Sequence, residues 1–309
     1  MSLTSAGSRR PLLIVITGPT GSGKSQLALQ VASRLGCDII SADSRQIYRH
    51  IPITTAVPSA EERRAVRHHF VETLELDEYY SAAQFETDVM ELLPQLWATT
   101  DYAVMCGGSM MYVDAVCNGI DLIPTVSPEV REEAYGIWHR DGIEAVRSRL
   151  QELDPVYYAV ADLNNHKRLI HAIEVTIEAG VPFSSLLNGR RKERPFDVLK
   201  VAIDMPRSTI RSTRRLMRLK SMSRGMIDEA RAVYPLRHLN SLNTVGFKEL
   251  FAAFDGTMTL PVAIERIKKN TRVYAKKQLT WLKRDPDIRF LPASDPFGAL
   301  MKLIPFYDK

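Results

Sequence analysis

The sequence predicts an α/β fold: a parallel sheet flanked by helices, interrupted by a helical insertion. Three observations carry this expectation. Leu12–Thr17 (LLIVIT) is a continuous apolar run rich in β-branched residues, the signature of a strand buried on both faces. A glycine-rich loop, Gly18 to Ser25, follows it directly and opens a segment with helical spacing. The stretch from Glu129 to Ala179 shows helical patterning without a convincing strand.

The elements follow in order. In residues 26–35, Leu27, Val31 and Leu35 share one helix face. Residues 38–42 (DIISA) read as a second strand, and residues 102–106 (YAVMC) as a third that runs into Gly107-Gly108. Strand, loop, helix and strand in this sequence form the βαβ pattern of a doubly wound sheet. After Asn118-Gly119 the texture changes. Pro124, Ser127 and Pro128 mark a loop, and residues 129–161 read as two helices with breaks near Arg140-Asp141-Gly142 and at Asp154-Pro155. Residues 168–179 form another helix, ended by Gly180 and Pro182. Residues 199–204 (LKVAID) return to strand character, and long basic helices follow, including residues 262–284. The expected organisation is a core over residues 1–118, an insertion over 119–195, and core completion with basic C-terminal helices over 196–309.

Composition excludes some classes. With 45% hydrophobic and 25% charged residues, the 309-residue chain is that of an ordinary globular protein. No apolar run approaches the roughly 20 residues needed to span a bilayer, and the polar start lacks the apolar stretch of a signal peptide. Cys37, Cys106 and Cys117 form no C-x-x-C pair, which points to a reducing cytoplasm and away from zinc. The net charge of +5 hides an asymmetry. Residues 181–290 carry 24 Lys and Arg against 10 Asp and Glu, while the rest holds 17 against 26. A basic half of this kind attracts polyanions and gains from counterion release.

Gly18-Pro19-Thr20-Gly21-Ser22-Gly23-Lys24-Ser25 matches G-x-x-x-x-G-K-[ST] in full, between a strand and a helix. The sheet is therefore expected to be P-loop NTPase-like. The glycines let backbone N–H groups wrap an anion, the helix N-terminus adds its dipole, Lys24 brings a mobile positive charge, and Ser25 offers an oxygen to Mg²⁺. The third strand runs into Gly107-Gly108-Ser109 without a carboxylate, which weakens an ATPase reading. Asp43 follows the second strand, where ligands bind in doubly wound sheets, and suits a general base or metal ligand.

GPTGSGKS, SADSRQIY, GGSMMYVDAV, the helix KRLIHAIEV, NTVGFKEL and AKKQLTWLKRD, in this order, resemble the tRNA dimethylallyltransferases, in particular those of the Bacteroidetes, over roughly residues 12 to 290. The resemblance implies transfer of a dimethylallyl group from dimethylallyl diphosphate to N6 of adenine 37, with release of diphosphate, on a flipped base in the tRNA anticodon stem-loop. It implies that Asp43, Ser109 and Lys24 are catalytic, and that residues Gly18 to Ser25 bind the diphosphate with Mg²⁺ on Ser25. It further implies RNA contacts at Asp43, Ser44, Arg45 and Gln46, at Lys167 and Arg168 in the insertion, at Asn243, Thr244, Val245, Gly246, Phe247 and Lys248, and at Arg272, Lys276, Lys277 and Gln278. Relatives are mostly monomers. His68-His69 matches a family pair and reads as structural; Trp281 reads as core.

Two departures stand out. Thr54 replaces a glycine common in the family, and would strain the loop if that glycine has positive φ. In strict register, the family's diphosphate-binding arginine falls on Thr213, with Arg211, Arg214 and Arg215 close by; Arg214 is taken as its substitute. The family's aspartate in that helix falls on Leu219. Two other enzyme readings remain at this point: an adenylate isopentenyltransferase acting on free AMP or ATP, and a P-loop small-molecule kinase. A non-enzymatic RNA-binding protein is the third alternative.

Overall fold

The structure is a computed structural model that describes residues 10–121, 123–187, 189, 191–204 and 225–305. It divides into two compact units, one of residues 1–118 with 193–309 and one of Gly119–Lys192.

The first unit is built on a six-stranded, fully parallel sheet. In chain order its main elements are β1 (Leu12–Thr17), α1 (Lys24–Leu35), β2 (Ile39–Ser41), β3 (His68–His69), α2 (Ala82–Trp97), β4 (Tyr102–Gly107) and α3 (Met110–Asn118). In space the strands run β3-β2-β4-β1 and continue through the two late strands to the other edge. The apolar run of β1 divides by the period of the pleat. Leu12, Ile14 and Ile16 enter the core that holds α1, while Leu13 and Val15 enter the opposite core, formed with Phe85, Val89 and Leu93 of α2 and Val113 and Val116 of α3. The sheet is thus covered on both faces, as the uninterrupted apolar strand requires.

The second unit has its own core. Its helices α4 (Pro128–Leu153) and α5 (His166–Ala179) pack through Ala134, Val146, Leu150, Leu169, Ile170 and Ile173. The expected break in α4 is a kink at Gly142, whose φ of 77° and ψ of −168° suit glycine alone. The second break is at Asp154, which caps a one-turn helix through Tyr157 N–H.

The chain re-enters the first unit and forms β5 (Asp197–Asp204) beside β1. Helices α6 (Phe247–Phe254) and α7 (Leu260–Leu282), strand β6 (Arg289–Pro292) and helix α8 (Pro296–Met301) complete it. At the re-entry point Arg194 is nearly buried. Its guanidinium donates to Ala115 C=O (2.7 Å) and pairs with the buried Glu86 (2.6 Å). Among the described residues no helix is long and apolar enough to cross a membrane.

Some elements differ from the sequence reading. β3, α2 and β6 were not expected: β3 is a two-residue strand of half-buried histidines, and β6 is an edge strand with only Leu291 buried. His69 Nε2 lies 2.8 Å from Asp38 Oδ2, and no group of three metal-ligating side chains exists among the described residues. Thr54 sits in the one-turn helix Pro52–Thr55 without positive φ, so the strain considered for it falls away; Ala56 takes the left-handed conformation instead, at φ 54°. Residues Arg207 to Arg224, including Arg211, Thr213, Arg214, Arg215 and Leu219, lie outside the described residues.

Lys200 is the one charged residue buried along β5. Its Nζ meets Asp285 Oδ2 at 2.8 Å, just beyond the end of α7. Removing one partner of a buried pair strands the other charge. Asp285→Ala should therefore destabilise the protein by about 3 kcal/mol in urea unfolding. A loss well below 1 kcal/mol would mean that water reaches Lys200.

Candidate active site

The parallel register brings three loops to one end of the sheet. Thr17 of β1 lies level with Gly107 of β4, and Ser41 of β2 with Cys106. The phosphate loop starts one residue past Thr17, Asp43 lies two past Ser41, and Ser109 two past Gly107. The expected neighbours Lys24, Ser25, Asp43 and Ser109 therefore share the carboxyl ends of adjacent strands, where open α/β sheets bind their ligands.

The phosphate loop has the backbone its glycines permit. Gly18, Gly21 and Gly23 have φ of 154°, 86° and 87°, a region that side chains disfavour. Gly18 and Pro19 are buried, and Ser22 Oγ is buried without a hydrogen-bond partner among the described residues. An orphaned hydroxyl inside a loop of left-handed glycines is compatible with an oxyanion site.

The ladder between β2 and β4 continues past both strands. Ala42 N–H donates to Cys106 C=O (2.8 Å), and Ser109 N–H donates to Ala42 C=O (3.1 Å). This needs a backbone without side chains: a Cβ on Gly107 would stand 2.0 Å from the Ala42 oxygen. Ser109 is then fixed. Its Oγ accepts from Ser44 N–H (2.8 Å) and donates to Ser44 Oγ (3.1 Å). Asp43 is held by its own turn, with Oδ1 accepting from Arg45 N–H (3.0 Å). Among the described residues Oδ2 has no hydrogen bond, which leaves one carboxylate oxygen to take a proton.

Cys106 marks how close these groups are. Burial pushes its thiol up to about 11; Lys24 and a hydrogen bond from Ser25 oppose the rise, and Asp43 adds to it. A cation and a carboxylate thus both lie near one thiol.

The residues expected to meet RNA divide into two sets. Lys167 and Arg168 are exposed in the first turn of α5. Cations there oppose the helix dipole, and no acidic residue offsets them, so their placement costs stability unless an anion is bound. Asn243 and Lys248 are exposed at the start of α6, and Arg272, Lys276 and Lys277 along α7. The second set faces inward. Phe247 is fully buried in the core around α6, and Gly246, at φ 113°, is buried against Thr54. Arg45 donates to the carbonyls of Asn240 (3.0 Å) and Ser241 (3.2 Å). The Gln46 amide spans Ser41 Oγ and the carbonyls of Thr55 and Ala56. Gln278, expected on the RNA face, is buried: Thr20 N–H donates to its Oε1 (3.0 Å), and its Nε2 donates to Gly108 C=O (2.9 Å). Its place in the buried line Ala275, Gln278, Leu282 was the available signal. Tyr274, not singled out in the sequence, is raised by burial and then by the nearby Asp43 carboxylate. Trp281 packs inward against the cores on either side of it.

Residues 46–285 match the family model described as IPP transferase. The chain is 51% identical to "tRNA dimethylallyltransferase 2" of Parabacteroides distasonis, covering 89% of this chain and 92% of that protein. It is 47% identical to "tRNA dimethylallyltransferase 2" of Porphyromonas gingivalis, over 94% and 97%. Among solved structures it is similar to the full-length tRNA isopentenylpyrophosphate transferase of Bacillus halodurans, with TM-score 0.69, 29% identity and 95% of each chain covered. A eukaryotic dimethylallyltransferase acting on tRNA shares the fold, with TM-score 0.78 at 24% identity over 95% of this chain and 78% of that one.

All three thiols are buried, and burial pushes Cys37 and Cys117 up to about 12. The thiolate reacts, and it forms only as pH rises toward these values. At pH 8 the native protein should leave a disulfide reagent unconsumed, whereas guanidinium should release three thiols. Fast native labelling of Cys106 would show that solvent reaches it.

Proposed function

The chain belongs to the IPP transferase family, and from that membership and the geometry of the site we propose that it transfers the dimethylallyl group of dimethylallyl diphosphate to N6 of adenine 37 in tRNA. The observation that carries the reading is the shared end of β1, β2 and β4, where the phosphate loop, Asp43 and Ser109 meet.

The chemistry needs three things. Adenine N6 is a weak nucleophile, because its lone pair is delocalised into the ring, and it must lose a proton as the new C–N bond forms. Asp43 is held through Oδ1, and its Oδ2 is the acceptor for that proton. As the C–O bond to the diphosphate breaks, negative charge gathers on the leaving group. The loop amides at the start of α1 and the Lys24 ammonium stabilise it there. Ser109, locked onto the Asp43-Ser44 turn, keeps the base at a fixed distance from the loop after β4.

The donor set fits Mg²⁺. Ser25 supplies a hard hydroxyl oxygen in the first turn of α1, and this ion keeps several waters and takes its remaining ligands from substrate phosphates. When bound, it would neutralise charge on the leaving diphosphate.

The exposed cations on α5 and along α7, with the surplus of positive charge over residues 181–290, support a tRNA substrate over a free nucleotide. β4 ends in glycine without a carboxylate, which weakens an ATPase reading, and a small-molecule kinase gives no reason for the basic surplus over residues 181–290. Buried, unpaired thiols suit a reducing cytoplasm.

Labelled dimethylallyl diphosphate and Mg²⁺, incubated with unmodified tRNA or with AMP or ATP, should label tRNA alone. Label in free nucleotide would instead assign adenylate isopentenyl transfer. Asp43→Ala should lower kcat by about 10²- to 10⁴-fold and leave tRNA affinity within about threefold. Near-normal turnover would remove Asp43 from the proton transfer. The tRNA Kd should also rise steeply with salt, because phosphate contacts release counterions, and a flat response would move docking off the basic surface.

A further inference from the structure

The inward line of α7 reads Ala263, Ile267, Ala275, Gln278, Leu282, and one member is polar. Gln278 is 2% exposed, and both ends of its amide are used. Oε1 accepts from Thr20 N–H inside the phosphate loop, and Nε2 donates to Gly108 C=O beside Ser109. One side chain therefore ties the loop after β1 to the loop after β4. It comes from the helix whose other face carries Arg272, Lys276 and Lys277 to solvent. Gly108 has a matching requirement. Its φ is not left-handed, so the backbone itself accepts alanine, but a Cβ would stand 2.5 Å from Gln278 Nε2. What keeps position 108 free of a side chain is the glutamine amide.

We propose that Gln278 is a positioning residue for the diphosphate cradle, and not an RNA contact. Resting on the proposed reaction, it sets the phosphate loop against the Ser109 loop from the RNA-facing helix. Without it, Thr20 N–H loses its partner in a half-buried place and Gly108 C=O in a buried one, and the loop is free to leave the arrangement that receives the leaving group. The consequence falls on donor binding, because the amide is buried and both its ends are held by the two loops.

The test compares the full-length protein with Gln278→Ala, Gly108→Ala and the double variant. It reads the KM for dimethylallyl diphosphate, the Kd for inorganic diphosphate with Mg²⁺ by calorimetry, the tRNA Kd and the melting temperature. Gln278→Ala should raise the diphosphate KM and Kd about tenfold, as loss of a buried hydrogen-bond partner does. Its tRNA Kd should stay within about twofold, since no RNA contact is removed. Gly108→Ala should weaken diphosphate binding similarly on its own and add little once Gln278 is gone, because both changes break the same link. Unchanged diphosphate affinity in a folded Gln278→Ala protein would overturn the proposal. So would a tRNA Kd that rises in step with the donor KM, or strictly additive effects of the two substitutions. If Gln278→Ala does not fold, Gly108→Ala decides alone, and an unchanged diphosphate Kd then overturns it. Failure of the unsubstituted protein to transfer label would count against the reaction, while diphosphate calorimetry would still judge Gln278.

Discussion

The site depends on the close approach of two backbones, Gly107 and Ala42. A single Cβ at position 107 would push into the Ala42 carbonyl, 2.0 Å away. With glycine there, the β2–β4 ladder extends past its strands, and Ser109 N–H reaches Ala42 C=O. That bond aims the Ser109 hydroxyl at Ser44, which carries Asp43 on the same turn. The strand pair thus places a hydroxyl and a carboxylate with a precision that loops on their own lack. The phosphate loop joins them because β1 is the next strand in register.

Much of this was legible in the sequence, and the reasons are local. The β1 run and the phosphate loop are contiguous patterns in which each residue reports its own role. Asp43 could be placed because it follows directly on an apolar strand, whereas Ser109 was reached through the family resemblance. Other features were hidden. β3 consists of two histidines and has no apolar pattern to read. β6 is an exposed edge strand, Arg289 to Pro292, that lacks the apolar run of a buried one. Gln278 follows Lys276-Lys277 and looks like one more polar residue on a wet helix; only its spacing from Ala275 and Leu282 marks the inward face. Arg45 sits in a stretch expected to contact bases, yet its guanidinium is taken by the carbonyls of Asn240 and Ser241, a long-range fact that no window of sequence contains.

The charge pattern has a similar division. The surplus of Lys and Arg in the second half belongs to several elements, and its members do different work. Lys200 and Arg194 are interior cations with carboxylate partners. Lys167 and Arg168 crowd the positive end of a helix dipole, where the fold gains nothing from them. A net charge counts these alike, while the structure separates cations paired in the interior from cations left exposed to solvent.

The Arg194 staple has a consequence for how the family can vary. It joins Ala115 to Arg194 across 79 positions of chain, with β1 and β5 pairing just beyond it. Closing a loop of that length costs entropy that grows only with the logarithm of its length, so doubling it would add about 0.6 kcal/mol. The intervening segment carries its own core, so it does not draw on the sheet for stability. Insertions in its surface loops add little closure cost, provided its own core is kept. Surface loops of that unit can therefore change length while the strands that carry Asp43 and Ser109 keep their register.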